Sequence, residues 1–178
     1  MAKKRSTRQI RLESLFRKMP SLTSASTQFR GEAGAVCLDS QYHGVRCQLS
    51  VAGCFEETFG LSRPRVTDEM RRSHNDQEKA TEHGAEGVAF LLALKLTPYR
   101  VIEQSRRGTR IDWWLGFRGK LFQHAGRLEC SGLRAGTAGQ LEARTLEKVA
   151  RARRANSTLP TYVCVVNFKP PCVKMGQL

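Results

Sequence analysis

Two acidic residues in the second half of the chain are each flanked by apolar residues. Asp112 lies between Ile111 and Trp113, and Glu129 has apolar neighbours in the same way. Successive side chains of a strand point to opposite faces, so each acid would point away from its neighbours. If the two strands pair, the carboxylates lie side by side and repel each other unless a cation lies between them. The pattern predicts a divalent-metal site, with Mg²⁺ (or Mn²⁺) expected because these ions prefer oxygen ligands.

A third carboxylate is available on a predicted helix that precedes both strands. Glu82 and Glu86 are four residues apart, hence on one helical face, and Glu82 is the first choice as a metal ligand. The small residues Ala80, Gly84 and Ala85 would let this turn of helix approach the sheet closely.

Each acid also has an ordinary structural interpretation. Asp112 could be a strand-end residue that accepts a hydrogen bond from a neighbouring backbone amide. Glu129 could pair with one of the many arginines, and Glu82 could lie on a solvated helix face. These alternatives stay open at the level of sequence.

The elements that must position the acids follow from hydrophobic periodicity. A long helix is predicted from Thr67 or Asp68, as N-cap, to the Leu96-Thr97-Pro98 boundary. The predicted elements that follow are strands at 99–104, 110–117 and 126–133, a helix at about 138–154 and a buried strand at 161–168. The order is α-β-β-β-α-β, within a core of about 67–168.

The first third of the chain gives weaker patterns. Residues 1–30 are basic and are predicted to form a partly disordered tail, with 21–28 as a polar linker. Short apolar runs at 35–38 and 45–51, separated by 42–44, predict a β-hairpin. Residues 31–178 are then expected to form a single α/β domain.

The charge balance favours a polyanionic partner. Thirty Lys and Arg against sixteen Asp and Glu give a formal net charge of +14, which attracts nucleic acid through salt-dependent contacts. DNA is favoured over RNA, and a protein complex or a homo-oligomer is left open. The candidate nucleic-acid contacts are Lys3, Lys4 and Arg5 in the tail and Arg144, Arg151 and Arg154 on the second predicted helix. A generally Arg-rich composition and a solvated helical face are the alternatives.

The cysteines and the apolar runs bear on the compartment. The six cysteines form no Cys-x-x-Cys pair and no zinc-type spacing, so reduced thiols are expected. The longest apolar run, 88–94, is too short to cross a bilayer. We therefore expect a soluble cytoplasmic protein with no membrane partner.

The element order, with acids on the helix, the second strand and the third strand, resembles the PD-(D/E)XK, or restriction-endonuclease-like, nuclease superfamily. The likeness covers about residues 80–168. A closer similarity, to a set of small uncharacterised bacterial proteins, is carried by ATEHGA (80–85), GTRIDWWLG (108–116) and RLECSG (127–132).

The resemblance implies an α/β fold with a restriction-endonuclease-like αβββαβ core, a mixed central sheet flanked by helices, an N-terminal hairpin and a basic tail. It implies that Asp112 and Glu129 bind the metal, that Glu82 assists, and that the chain hydrolyses phosphodiester bonds of nucleic acid.

The sequence departs from the superfamily at Ser131, where active members usually have a lysine that orients the attacking water. Lys148 on the second predicted helix, one turn after Arg144, is the candidate replacement and completes the predicted catalytic set with Asp112 and Glu129. It lies opposite the apolar side formed by Ala143, Leu146, Val149 and Ala150, so the helix would have to pack by another face. The alternative is a catalytically inactive nuclease fold that binds nucleic acid or serves as a structural subunit.

Overall fold

An eight-stranded mixed sheet with helices on both faces organises the chain. The structure is a computed structural model and describes residues 8–178 apart from residues 121 and 156. The helices are α1 (Leu15–Lys18), α2 (Ser24–Ser40), α3 (Asp68–Ser73), α4 (Gln77–Leu96) and α5 (Ala138–Arg153). The strands are β1 (Arg8–Arg11), β2 (Arg46–Gly53), β3 (Glu57–Ser62), β4 (Tyr99–Gln104), β5 (Trp113–Phe117), β6 (Gly126–Leu133), β7 (Thr161–Phe168) and β8 (Pro171–Gln177).

The strand order is β1-β3-β2-β8-β7-β6-β5-β4. The pairs β1·β3, β2·β8 and β6·β7 are parallel, and the other neighbouring pairs are antiparallel. Every residue of β7 is buried, as expected for a central strand covered on both faces. The predicted α/β class and the mixed sheet flanked by helices are therefore confirmed.

One face of the sheet carries the main core. Phe90 of α4 packs against Trp113 of β5, with ring centroids 4.8 Å apart, and buried side chains of β2 and β3 join the same cluster. On the opposite face, Leu141 and Ala152 of α5 pack against Val163 and Val165 of β7. No helix in the described part of the chain has the length and apolar character needed to cross a membrane.

Glycines allow α2 and α4 to pack in close contact. A Cβ atom added at Gly84 would lie 2.9 Å from the Cα atom of Gly34, and one added at Gly87 would lie 2.9 Å from the carbonyl oxygen of Arg30. Gly84 therefore faces α2, whereas the close approach of α4 to the sheet is made where Thr81 and Ala85 meet Gly132 of β6.

The N-terminal third differs most from prediction. The expected linker at 21–28 and the first hairpin strand at 35–38 are wrong, because Ser24–Ser40 is one helix, capped by the Thr23 side chain. The hairpin is formed instead by β2 and β3. β1 pairs with β3 at the edge of the sheet, so the boundary expected at residue 30 falls inside α2 and after a strand of the same sheet. Lys3, Lys4 and Arg5 lie outside the described residues.

Three smaller differences affect the second half. The expected long helix is divided, because Thr67 caps the short α3 and Asp76 caps α4, which begins at Gln77. The strand expected at 110–117 begins only at Trp113. β8 was not predicted, although Val173 and Met175 alternate with Lys174 and Gly176, and it is the antiparallel partner of β7.

Candidate active site

The two predicted acids meet where β5 and β6 diverge. Trp113 pairs with Leu128, and the amide of Asp112 donates to the carbonyl oxygen of Leu128 at 3.1 Å. This hydrogen bond departs from the register of the β5·β6 pairs, so the pairing becomes irregular at Asp112, which lies just before β5. The two acids are nevertheless close enough that the charge of Asp112 raises the pKa of Glu129. The β5·β6 pairing covers only 126–128 of β6, so the rest of β6 is hydrogen-bonded to β7 but not to β5.

Asp112 is fixed by the backbone of β6. Its Oδ2 accepts a hydrogen bond from the amide of Cys130 at 2.7 Å, in place of a strand partner. The hydrogen bond to a neighbouring backbone amide that a strand-end aspartate would make is therefore present, but it uses only Oδ2. Oδ1 makes no hydrogen bond with any residue that the structure describes, which leaves it available at the divergence of the two strands.

Glu129 is fully buried, with 0% of its side chain exposed. Its Oε1 lies 2.9 Å from Lys148 Nζ and 3.3 Å from an Nη atom of Arg151. Its Oε2 is buried and has no hydrogen-bond partner among the described residues. A buried polar atom without a partner costs free energy, so this oxygen is the unsatisfied position of the site.

Burial raises the pKa of Glu129 to about 7, and the neighbouring negative charge of Asp112 acts in the same direction. The hydrogen bond and charge of Lys148 and the charge of Arg151 oppose this shift. Ionising both Asp112 and Glu129 is therefore unfavourable unless further positive charge is present. A bound cation would supply that charge.

Helix α5 delivers Lys148 to this pair. Thr137 and Gln140 form a capping box at its start, and Leu141, Thr145, Lys148 and Ala152 lie on the side that faces the sheet. The predicted apolar side of the helix is only in part a packing face, because Leu146 is 60% exposed whereas Val149 packs against the core on this side of the sheet. Packing by the other face is what lets Lys148, with 13% of its side chain exposed, reach Glu129 directly.

The arginines predicted to contact nucleic acid on α5 have different surroundings. Arg151 is half exposed and pairs with Glu129, and Arg144 pairs with Glu147 at 3.7 Å. Arg154 is exposed at the end of the helix, where its carbonyl oxygen accepts a hydrogen bond from Arg110.

Glu82 is not brought into a metal-ligand set with the pair. It is exposed and lines a cleft of about 270 Å³ whose walls include Ser131 and Arg144. Within residues 8–178, leaving out 121 and 156, no group of three or more His, Cys, Asp or Glu residues is arranged to hold a metal ion. The third ligand that the sequence predicted is therefore absent from the described site.

Glu86, the reserve acid, has a structural role. It accepts hydrogen bonds from Arg30 Nε at 2.7 Å and from Trp113 Nε1 at 3.0 Å, and its contact with His83 is 3.5 Å. Burial alone would raise the pKa of Glu86, but these partners outweigh it and the pKa is lowered. Glu86 thus holds Trp113, the residue after Asp112. Sequence reasoning missed Arg30, because its helix was interpreted as a tail and linker.

The pair still fits an oxygen-ligated divalent cation of the kind the resemblance implies. The fit rests on the unpartnered Oε2 of Glu129 and on the nearby carboxylate of Asp112, whose Oδ1 is not hydrogen-bonded within the described residues. Mg²⁺ is commonly held by one or two protein carboxylates while it keeps waters for substrate phosphate.

None of the six cysteines is in a disulfide, and Cys37, Cys130 and Cys164 are buried.

Comparison with known proteins found no match to any family model, no significantly similar curated protein and no significantly similar solved structure.

Proposed function

We propose that the chain is a metal-dependent nuclease that hydrolyses phosphodiester bonds of nucleic acid, with Asp112 and Glu129 as the metal ligands. One observation carries the proposal: Lys148 Nζ lies 2.9 Å from Oε1 of Glu129, beside Asp112, although no lysine occupies position 131. An acid pair can hold a divalent cation, and an adjacent ammonium group can offset the negative charge that develops on a phosphate during hydrolysis.

The metal would be held by Oε2 of Glu129 and by the carboxylate of Asp112. When bound, Mg²⁺ would polarise the scissile phosphate and lower the pKa of a water molecule for attack. Lys148 then has two tasks on the protein side. Its ammonium group orients that water by donating a hydrogen bond, and it offsets the negative charge that develops on the phosphate. Glu129 positions Lys148 for both tasks.

Among the described residues, no strand pairs with β6 beyond residue 128 on the β5 side, and Asp112 is partly exposed there whereas Glu129 is buried. A phosphate would therefore approach the pair from the side of Asp112. Glu82, Ser131 and Arg144 line a cleft that includes neither acid, although Ser131 is two residues from Glu129 on β6. Arg144 can contact a phosphate of the backbone there, and Ser131 can donate one hydrogen bond. Glu82 would serve as an outer carboxylate that accepts hydrogen bonds from water.

The test is cleavage of plasmid and oligonucleotide DNA, and of RNA, in the presence of Mg²⁺ or Mn²⁺. We expect the native chain to cut, and the Asp112→Ala, Glu129→Ala and Lys148→Ala variants to cut at least a hundredfold more slowly, in line with the loss of one group that stabilises the transition state. Leu146→Ala, at an exposed position on the same helix, is the matched control and should cut at the native rate.

Two results would count against the proposal. If the native chain binds DNA but does not cut it with either ion, it is not a nuclease. If Lys148→Ala binds DNA normally and cuts at an unchanged rate, Lys148 has no part in the mechanism.

A catalytically inactive nuclease fold, acting as a nucleic-acid-binding or structural subunit, is the second candidate. It is favoured by the two cations that already neutralise one oxygen of Glu129 and by the absence of a three-ligand group within the described residues. Measurement of Mn²⁺ binding separates the two candidates. An inactive subunit would bind Mn²⁺ no more tightly than its Asp112→Asn variant does, whereas a metal-dependent nuclease would bind it more tightly than that variant.

A further inference from the structure

The part of the sheet formed by β1, β3 and β2 has one face that no helix within the described residues covers. Along β2, Leu49 and Val51 are buried in the core, whereas Arg46, Gln48 and Ser50 are exposed. Ser50 pairs with Cys172 of β8, which packs on the α5 side. Paired residues of neighbouring strands point to the same face, so the exposed face of β2 is the α5 face of the sheet.

This exposed face forms a groove of about 830 Å³. Its walls come from β1, β2, β3 and the segments around residues 45 and 65, and its polar lining includes Gln9, Arg11, Glu13, Arg46, Gln48 and Arg65. Gly60 lies in the floor, where a Cβ atom would lie 2.4 Å from the side-chain amide of Gln9. The side chain of Gln9 can therefore lie close over β3 in the groove.

The lining of the groove contains more basic than acidic side chains. Arg11, Arg46 and Arg65 are exposed, and none of them forms an ion pair with a residue in the described part of the chain. The acid in the lining, Glu13, accepts a hydrogen bond from the Ser62 hydroxyl at 3.0 Å and forms no ion pair within that part. A fourth arginine in the lining, Arg63, already has partners within the protein, because its guanidinium group binds Asp39 and the carbonyl oxygen of His43.

We infer that this groove, which we call the β1-β3-β2 groove, is a second binding surface for the phosphate backbone of nucleic acid. Three free guanidinium groups on an open polar sheet face match a line of phosphates, since arginine binds phosphate oxygens in a bidentate manner. Among the residues that the structure describes, no aromatic side chain lines the groove. Base stacking is then absent, and contacts to phosphate without base contacts position nucleic acid but do not select its sequence.

The groove lies apart from the proposed active site. β2 is separated from β6 by β8 and β7, a distance of roughly 15 Å at the usual strand spacing, and α5 covers the strands between them. The groove therefore holds a nucleic acid away from the scissile bond. This inference takes nucleic acid as the partner from the proposed function, but it does not require that the chain cut it.

The test is binding of a short fluorescein-labelled DNA duplex, and of the matching RNA duplex, followed by fluorescence anisotropy over a series of salt concentrations without divalent ions. The triple variant Arg11→Gln/Arg46→Gln/Arg65→Gln removes the three charges of the groove. For duplex DNA, loss of three phosphate contacts lowers the slope of log K against log salt by about 2 to 3 and weakens binding roughly a hundredfold near 0.15 M salt.

The matched control is Arg17→Gln/Arg72→Gln/Lys120→Gln. These three residues are exposed on α1, on α3 and after β5, and the triple change removes the same net charge. The control should keep the native slope. A single variant, Gln48→Glu, adds an acid inside the groove and should also weaken binding, and circular dichroism checks that each variant is folded.

The outcomes separate this inference from the proposed function. Native binding that falls in the groove variants but not in the control supports the groove, whether or not the chain cuts DNA. Equal loss in the control and in the groove variant would overturn it, because net charge alone would then explain binding. Three other results would also overturn it. The groove variant could bind as tightly as the native chain, the native chain could bind neither duplex, or it could bind polyglutamate as tightly as it binds a duplex.

Discussion

The Lys148→Met variant should destabilise the protein only at a pH where Glu129 is ionised. Lys148 Nζ is 2.9 Å from Oε1 of the fully buried Glu129, so its charge stabilises the carboxylate and has little to act on when the acid is neutral. Burial raises the pKa of Glu129 to about 7 in the native protein, and loss of Lys148 should raise this pKa further.

The size of the effect follows from that pKa. The folded state holds the Glu129 proton more tightly than the unfolded chain does, so the contribution of this group to stability falls as pH rises from about 4.5 through 7. Below about pH 6 the acid is neutral in the folded state of native and variant alike. Above pH 7 the native protein gains from the ion pair with Lys148, which the variant lacks, whereas Arg151 remains beside Glu129 in both. The deficit of the variant should reach about 1 kcal/mol at pH 8 and about 2–3 kcal/mol at pH 9.

The assay is urea denaturation of native and Lys148→Met protein between about pH 5 and pH 9. In a Glu129→Gln background the Lys148→Met change should cost little at any of these pH values. Lys174→Met is the matched control, because Lys174 pairs with Glu142 at a more exposed position, and loss of that pair should cost less than about 1 kcal/mol.

A deficit of the same size at pH 5 and pH 9 would refute the reasoning, since it would assign the cost to packing and not to charge. So would a Glu129→Gln background in which Lys148→Met costs as much as in the native protein.

Three further variants test other parts of the structure. Glu129→Gln should abolish cleavage. It should leave the free energy of unfolding at pH 9 unchanged or higher, because burial raises the pKa of Glu129 and its charged form is therefore disfavoured in the folded protein at this pH. Urea denaturation measures this, and a large loss of stability would contradict it. Gly84→Leu should lower the free energy of unfolding by about 1–3 kcal/mol, since even a Cβ atom would lie 2.9 Å from the Cα atom of Gly34, and an unchanged melting temperature would show that α2 and α4 do not pack as described. Leu146→Lys should change stability by less than about 0.5 kcal/mol because Leu146 is 60% exposed; a larger loss would mean that this side of α5 is covered.

Strands with a strong pattern were predictable from sequence. The alternation around Glu129 predicted β6, and the continuous apolar run predicted β7, with bounds that agree with the structure. The same alternation predicted that Asp112 and Glu129 would be neighbours, whereas Asp112 lies just before β5 and is held against β6 by the amide of Cys130. The cap at Thr67 was also predicted, although the helix that it begins is short.

Helix α2 could not be predicted in this way. It is buried through Gly31, Ala33, Gly34 and Ala35, which allow close packing on α4 but give no apolar periodicity. Hydrophobic periodicity detects helices that bury large apolar side chains on one face. At Gly34 and Gly84, by contrast, the backbones of α2 and α4 themselves lie in close contact. The consequence was that Arg30, the partner of Glu86, was assigned to a tail.

The packing face of α5 shows the same limit near the site. Periodicity favoured the side with Leu146, but the side that packs on β7 contains Thr145 and Lys148. A buried acid on the neighbouring strand makes a lysine favourable at a position where pattern alone predicts an apolar residue. Knowledge of Glu129 as a buried group would have been needed to choose this face.

The most direct test of the proposed metal site is a crystal structure of the native chain grown with Mn²⁺, with anomalous scattering data. The account predicts one anomalous peak within ligand distance of Oε2 of Glu129 and of a carboxylate oxygen of Asp112, and no peak in crystals of Asp112→Asn. Unchanged Lys148 and Arg151 contacts to Glu129 with no anomalous density beside the pair, at Mn²⁺ concentrations that support nucleases, would contradict it.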